Sequence, residues 1–314
     1  MLGKSDKIVL AGAAGLVGQN LAVLLRGQGY VNLVGIDKHP HNTGVLRDLN
    51  PGMAVIEADL SRPGHWEGSL RGARALVMLQ AQIGGEVYSE FVANNITSTE
   101  RVLEACRAQG VDYIVHVSSS VVNSRAKDFY TETKRAQERL VLESGIPCVV
   151  LRPTLMFGWF DRKHLGWLSR FMRRAPVFPV PGSGHYARQP LYILDFCRVI
   201  AACLERQPVG EIHDVSGLEV VDYIDIIHAI KDATGSRTPI VRIPYRVFWW
   251  LLRGYALFDR DPPFTTRQLE ALVIPETFPI IPWGEIFGIR PTPFREAIRE
   301  TFTDPRYADV VLKF

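Results

Sequence analysis

Residues 118 to 134, SSSVVNSRAKDFYTETK, place three serines at the end of a β-branched run and a tyrosine four residues before a lysine. On a helix, the i and i+4 spacing of Tyr130 and Lys134 puts both side chains on one face. A phenol has an unperturbed pKa near ~10, too high for a base at neutral pH, but a neighbouring positive charge favours its ionised form. Tyr130 can then take or give a proton while a serine hydroxyl orients the reacting oxygen. The bland alternative is a packed Tyr130 and a solvated Lys134, so the residues around the pair must decide.

The first of these are glycines. The stretch VLAGAAGLVGQNL carries Gly12, Gly15 and Gly18 in a G-x-x-G-x-x-G series between a predicted strand and a predicted helix. Such glycines let the backbone turn tightly, approach a pyrophosphate and pack helix on strand, with the phosphates at the helix amino terminus. The second predicted strand, VNLVGID, ends at Asp37, 19 residues after Gly18. A carboxylate there accepts hydrogen bonds from the adenosine ribose and repels a 2′-phosphate, which favours NAD over NADP. A glycine turn with a surface aspartate is the alternative that this strand-turn-helix-strand setting disfavours. Asp59, closing VIEAD, either faces the adenine or caps a turn. With a dinucleotide over the carboxyl ends of the strands, Ser118, Ser119 and Ser120 open onto the ligand crevice, and the nicotinamide supplies a second positive charge near Tyr130.

The elements that must hold these residues are legible as alternating patterns from residue 7 to about residue 153. KIVLAG, NLVGID, AVIEADL, ALVMLQA, DYIVHVSSS and PCVVLRP read as strands buried on both faces, with helical periodicity between them. This alternation implies right-handed crossovers and a parallel, doubly wound sheet. Prolines and glycines then crowd APVFPVPGSGHYARQP, and the chain from about residue 218 is helical and aromatic. The expected organisation is a Rossmann-type domain over 1–155, with 189–217 returning to it, and a smaller, mainly helical substrate lobe over 156–314.

The composition bounds the function. The 314 residues, 47% hydrophobic with a formal charge of +3, form no basic block, so nucleic-acid binding has no electrostatic footprint. Cys106, Cys148, Cys197 and Cys203 lack C-x-x-C spacing and read as reduced, buried thiols, which points to the cytoplasm. The amino terminus runs straight into a strand pattern without a secretion signal, and no stretch reaches the ~18 apolar residues of a membrane span. VFWWLLRGYALF, residues 247 to 258, carries Arg253 in its middle. It reads as a core or pocket-covering helix, with a membrane-surface role as the alternative.

Taken together, the glycine series, Asp37, VSSS, YTETK, SGIPCVVLRPTLMFG and GSGHYARQPLYILD resemble the extended short-chain dehydrogenase/reductases of the NAD-dependent epimerase/dehydratase group. The likeness runs over about residues 7 to 217, and EIFGIRPTPFREAIRET is similar to the carboxy-terminal end of such proteins. The resemblance implies Ser119, with Ser120 as fallback, Tyr130 and Lys134 as the catalytic set. It implies Gly12, Gly15, Leu16, Val17, Gly18, Asp37, Lys38, Asp59, Leu60, Gln80, Ala81, Tyr130, Lys134 and Pro153 around NAD, and Ser119, Gln82, Leu155 and Arg188 around the substrate. Asn95 matches a common helix asparagine or is a polar residue of a helix face. The implied activity is hydride transfer at a sugar hydroxyl or ketone, with a nucleotide sugar as substrate. A hydroxysteroid-like or other non-sugar alcohol, or a non-catalytic NAD-binding role, is the alternative.

Three departures bear on the substrate. The stretch from Ser119 to Tyr130 is shorter than in many relatives, Leu155 stands where many have asparagine, and Asn123 and Ser124 replace tyrosine and glycine. Ser120 and Val121 occupy the positions of the acidic pair that dehydratases use, so epimerisation or ketone reduction is favoured over dehydration. Arg188 is expected to fork onto a diphosphate, or else to cap its loop as a surface residue. The helices over 86–109 and 128–144 carry apolar residues beyond what one sheet face needs, and the resemblance implies that they pair into a homodimer.

Overall fold

The computed structural model of the chain describes residues 2–256 and 264–313. In chain order the first half comprises β1 Lys7–Ala11, α1 Leu16–Gly27, β2 Leu33–Asp37, α2 Pro40–Leu49, β3 Ala54–Glu57, β4 Ala73–Met78, α3 Tyr88–Phe91, α4 Ser98–Gln109, β5 Ile114–Val117, α5 Phe129–Leu142 and β6 Cys148–Pro153. There follow β7 Met156–Phe157, α6 Leu165–Arg174, β8 Phe178–Pro181, β9 Ala187–Arg188, β10 Leu191–Tyr192, α7 Ile193–Arg206, β11 Ile212–Val215, β12 Val221–Asp222, α8 Tyr223–Thr234, β13 Ile240–Ile243, α9 Tyr245–Tyr255, α10 Thr266–Val273, α11 Trp283–Phe287 and α12 Phe294–Thr303.

Seven strands form one parallel sheet in the order β11-β6-β5-β4-β1-β2-β3. The chain winds outward from β1 to β3, then crosses back to β4 and winds the other way. This reversal leaves a crevice beyond the carboxyl ends of β1 and β4, where ligands of such sheets bind. Side chains alternate across the sheet with period two. Ile8 and Leu10 belong to the core shared with α1 and α7, whereas Val9 and Ala11 belong to the core under α4 and α5. Burial on both faces is the reason the strands read as unbroken apolar runs. The chain is thus an α/β, Rossmann-type doubly wound sheet followed by a mainly helical carboxy-terminal region.

The helix expected over 86–109 is interrupted. After α3, residues Val92–Thr97 form a wide π turn before α4 begins, and α4 stops where Gly110 takes a left-handed conformation at φ +68°. The apolar residues of α4 also differ from expectation in where they point. Val102, Leu103, Ala105 and Cys106 are buried in the domain, and the outward positions are Glu100, Glu104, Arg107 and Ala108. Val87, Tyr88, Phe129 and Leu142 are large apolar residues exposed on this side, Tyr88 and Phe129 ring against ring at 5.0 Å. All four cysteines are buried and free. Among the described residues no helix is long and apolar enough to cross a membrane. The aromatic helix expected over 247–258 is α9; positions 257 and 258 lie outside the described residues.

Candidate functional site

The loop from β1 to α1 is shaped for close approach. Gly12 sits at φ +82°, and a Cβ there would fall 2.5 Å from the Gln80 amide nitrogen. A Cβ at Gly18 would fall 2.3 Å from the Ala13 carbonyl oxygen, so α1 lies against the loop only because residue 18 has no side chain. Gly15 is different: a Cβ there meets nothing closer than 3.5 Å. Gly15 is the amino-terminal cap of α1, and Leu16 and Val17 open the first turn, whose free N–H groups and dipole suit an anion.

Asp37 ends β2 beside this loop, 9% exposed. Its carboxylate accepts the Ala14 N–H at 3.0 Å and the His39 N–H at 3.1 Å, which aims it while leaving lone pairs for a ribose. Lys38 donates to the Asn94 amide oxygen at 2.6 Å. Asp59 accepts from the N–H and hydroxyl of Ser61, with Leu60 buried between them. Burial opposes its charge, but those bonds and the nearby Lys38 and Arg62 outweigh burial and hold the carboxyl below its usual range. Asp59 therefore does cap a turn. At the end of β4, both polar atoms of the Gln80 amide are buried without a partner among the described residues, next to Gly12 and Ala81. The α1 amino terminus at Gly15, an aimed carboxylate and this orphaned amide together fit a dinucleotide.

Ser119 follows β5 with its hydroxyl accepting from the Val121 N–H. Burial raises the Tyr130 phenol above its ordinary value, a side-chain hydrogen bond with Ser119 opposes this, and Asp128 adds to the rise. The sequence reading expected the Lys134 ammonium to favour the phenolate. In the folded chain that ammonium turns instead to the Val117 carbonyl, at 3.0 Å, and to the Gln137 amide oxygen, at 2.6 Å. Burial brings Lys134 down to about 7, opposed by the Glu138 carboxylate. Desolvation thus outweighs the attraction that residue spacing alone suggests.

The residues that hold this lysine carried no motif. Gln137, one turn further along α5, donates to the Gln80 carbonyl and the Thr99 hydroxyl, tying Lys134 to the end of β4 and to α4. Asn95, in the π turn, is fully buried. It accepts the Gln82 N–H at 2.6 Å and donates to the Gln82 carbonyl and the Thr133 hydroxyl, so it clamps the β4 loop to α5. Ser118 donates to Glu138, which also pairs with Arg152 of β6. His116 of β5 is fully buried, and neither ring nitrogen has a hydrogen-bond partner among the described residues. Burial, then the Lys134 charge, pushes its pKa well below the usual value, so it is neutral. An i+3 spacing from Lys134 to Gln137 was the one local signal available.

On the substrate side, Pro153 ends β6 opposite Val215 of β11, and Leu155 is half-buried two residues further on. Gln82 is held by Asn94 and Asn95. Arg188, expected to reach a diphosphate, is 8% exposed and engaged elsewhere. Its guanidinium donates to the carbonyls of Ala187 and Ile274 at 2.8 and 2.7 Å, and to those of Ala271 and Leu272. The carbonyls of Ala271, Leu272 and Ile274 lie at and beyond the carboxyl end of α10, which the helix leaves unpaired and a cation suits.

Comparison with known proteins places this geometry. The model of the NAD dependent epimerase/dehydratase family matches residues 8–216. A protein of Bacillus subtilis described as an uncharacterised UDP-glucose epimerase is 25% identical over 74% of this chain and 84% of its own. A ceramide reductase of Caulobacter vibrioides is 25% identical over 76% of this chain and 73% of its own. Among solved structures, a UDP-glucuronic acid 4-epimerase of Bacillus cereus in complex with NAD is 26% identical, covers 76% of this chain and 87% of its own, and superposes with a TM-score of 0.66.

Proposed function

Because the chain belongs to the NAD dependent epimerase/dehydratase family, we propose that it carries out NAD-linked hydride transfer at a secondary alcohol or ketone carbon, with Ser119, Tyr130 and Lys134 as the catalytic set. The observation that carries this reading is the Ser119 hydroxyl after β5, which counters the burial-driven rise of the Tyr130 phenol, with Lys134 buried one turn along α5 from Tyr130. When bound, the nicotinamide supplies the hydride acceptor or donor. In oxidation, the substrate carbon would give its hydride to the nicotinamide while its hydroxyl proton passed to the Tyr130 phenolate, which the oxidised cofactor's positive charge would favour; in reduction, the Tyr130 phenol would give its proton to the carbonyl oxygen. Ser119 orients that oxygen, and Asp37 holds the adenosine ribose. Acid/base help of this kind is worth roughly 10² to 10⁴ in rate.

For the substrate, a nucleotide sugar is the first reading, supported by likeness to the UDP-glucuronic acid 4-epimerase. The Arg188 geometry favours a second: with the guanidinium on main-chain carbonyls and Leu155 past β6, an apolar ketone or alcohol fits, as for the ceramide reductase relative. The test is to incubate the purified chain with NAD or NADH and a panel of UDP-sugars and long-chain ketones and alcohols. An epimerase converts a UDP-sugar without net change in NADH; a reductase consumes one NADH per ketone. No conversion of either class, with NAD bound, would leave a non-catalytic NAD-binding protein.

A further inference from the structure

Helix α9 presents two unlike faces. Inward, Phe248 is buried and meets Phe264 edge-on at 6.3 Å, and the Trp249 indole N–H donates to Glu270 of α10. Outward, Val247, Trp250 and Leu251 are 49, 65 and 58% exposed. At 3.6 residues per turn these positions fall on a single stripe. Arg246 and Arg253, both exposed, run along the Trp250 edge of that stripe, and Arg253 also lies over the Trp249 ring. From residue 233 to residue 256 the only charged residues are Arg237, Arg242, Arg246 and Arg253, all exposed, with no Asp or Glu among them.

We propose that α9 is an interfacial helix that docks the carboxy-terminal lobe onto an anionic lipid surface. Tryptophan, leucine and valine bordered by arginines match what the headgroup and acyl boundary takes: the apolar stripe enters the interface and the guanidinium groups remain at phosphate level. Charge complementarity favours this occupant over a second copy of the chain. A two-fold contact through the stripe would set the exposed Arg246 and Arg253 edges against their own copies, a like-charge juxtaposition, with Glu270 engaged by the Trp249 indole on the inward side. The stripe is also small, Val247, Trp250, Leu251 and the 49%-exposed Tyr255 on a three-turn helix, against the ~20 to 30 residues a side of a stable protein interface. A bilayer needs no matching surface. The inference is independent of the substrate reading, because it concerns a face and not the reaction crevice.

The test is co-sedimentation of the full chain with vesicles of phosphatidylcholine plus phosphatidylglycerol and with vesicles of phosphatidylcholine alone, beside the variants Trp250→Ser/Leu251→Ser and Arg246→Glu/Arg253→Glu. All four positions are exposed, and unchanged circular dichroism and NAD affinity verify that the variants fold. The expected result is binding to the anionic vesicles that weakens at least ~tenfold in each double variant and falls as salt rises. Absence of binding to anionic vesicles overturns the proposal, as does binding by both variants as tight as that of the parent. So does a dimer in light scattering that Trp250→Ser/Leu251→Ser dissociates, since a second copy would then cover the stripe.

Discussion

Tyr130 is a protonated phenol at neutral pH, because burial raises its pKa and the Lys134 ammonium faces another way. In that state it is ready to donate a proton to a carbonyl oxygen, and losing the proton in the oxidative direction requires the positive charge of the oxidised cofactor nearby. Tyr130→Phe keeps the ring and removes only the transferable proton. It should lower turnover by ~10² or more while NAD affinity, measured by titration, changes little; unaltered turnover would remove Tyr130 from the reaction. Arg188 leads to a different expectation. Its donations satisfy carbonyls at the end of α10, so Arg188→Ala should destabilise the protein by about 1–3 kcal/mol in a urea titration. If Arg188 instead holds a diphosphate, stability is preserved and KM for a UDP-sugar rises about tenfold.

At the scale of elements, the site is a set of strand ends held by helices. α1 approaches the glycine loop through Gly18, and Gly18→Ala would force its methyl into the Ala13 carbonyl. That overpacking should cost about 1–3 kcal/mol and weaken NAD together with stability, read by thermal unfolding with and without NAD. Stability equal to the parent would show that α1 has room to move. Around Lys134, β5 offers the Val117 carbonyl, and α4, α5 and the β4 end meet through Gln137 and Thr99. The π turn brings Asn95 to Gln82 and Thr133 across the same gap. Wide turns of this type recur at functional sites, where one added residue re-aims a side chain. None of these partners is adjacent in sequence, which is why Gln137 carried no motif.

For the whole molecule, the buried lysine makes stability depend on pH. Its folded pKa of about 7 lies below the ~10.4 of an unfolded lysine, so between those values the unfolded chain holds more protons. Its contribution to stability therefore grows as pH rises from about 7 to about 10 and is lost as pH falls back. Lys134→Met should flatten this slope relative to the parent in urea midpoints across that range; parallel slopes would mean that the ammonium is not desolvated. We also propose a homodimer through the side formed by α3, α4 and α5, where Tyr88, Phe129 and Leu142 are exposed. Light scattering at micromolar concentration should give twice the mass of one chain, reverting to one chain in Phe129→Glu/Leu142→Glu; a monomeric parent refutes it. The division at residues 155 and 156 is a working proposal of the same kind, since β11 joins the sheet from beyond it. The sequence alone determined six of the seven strands, the glycine turn between β1 and α1, the aspartate that ends β2 and the one-turn spacing of Tyr130 and Lys134 on α5. Each of these is a short-range spacing set by the period of one element or by the needs of one turn. Only the tertiary structure decided where the Lys134 ammonium points, that Arg188 closes α10, that Asn95 is a clamp and that α9 shows an apolar stripe to solvent. Burial and hydrogen-bond partners belong to residues far apart in the chain, and they exist only once β4, β5, α4 and α5 have met.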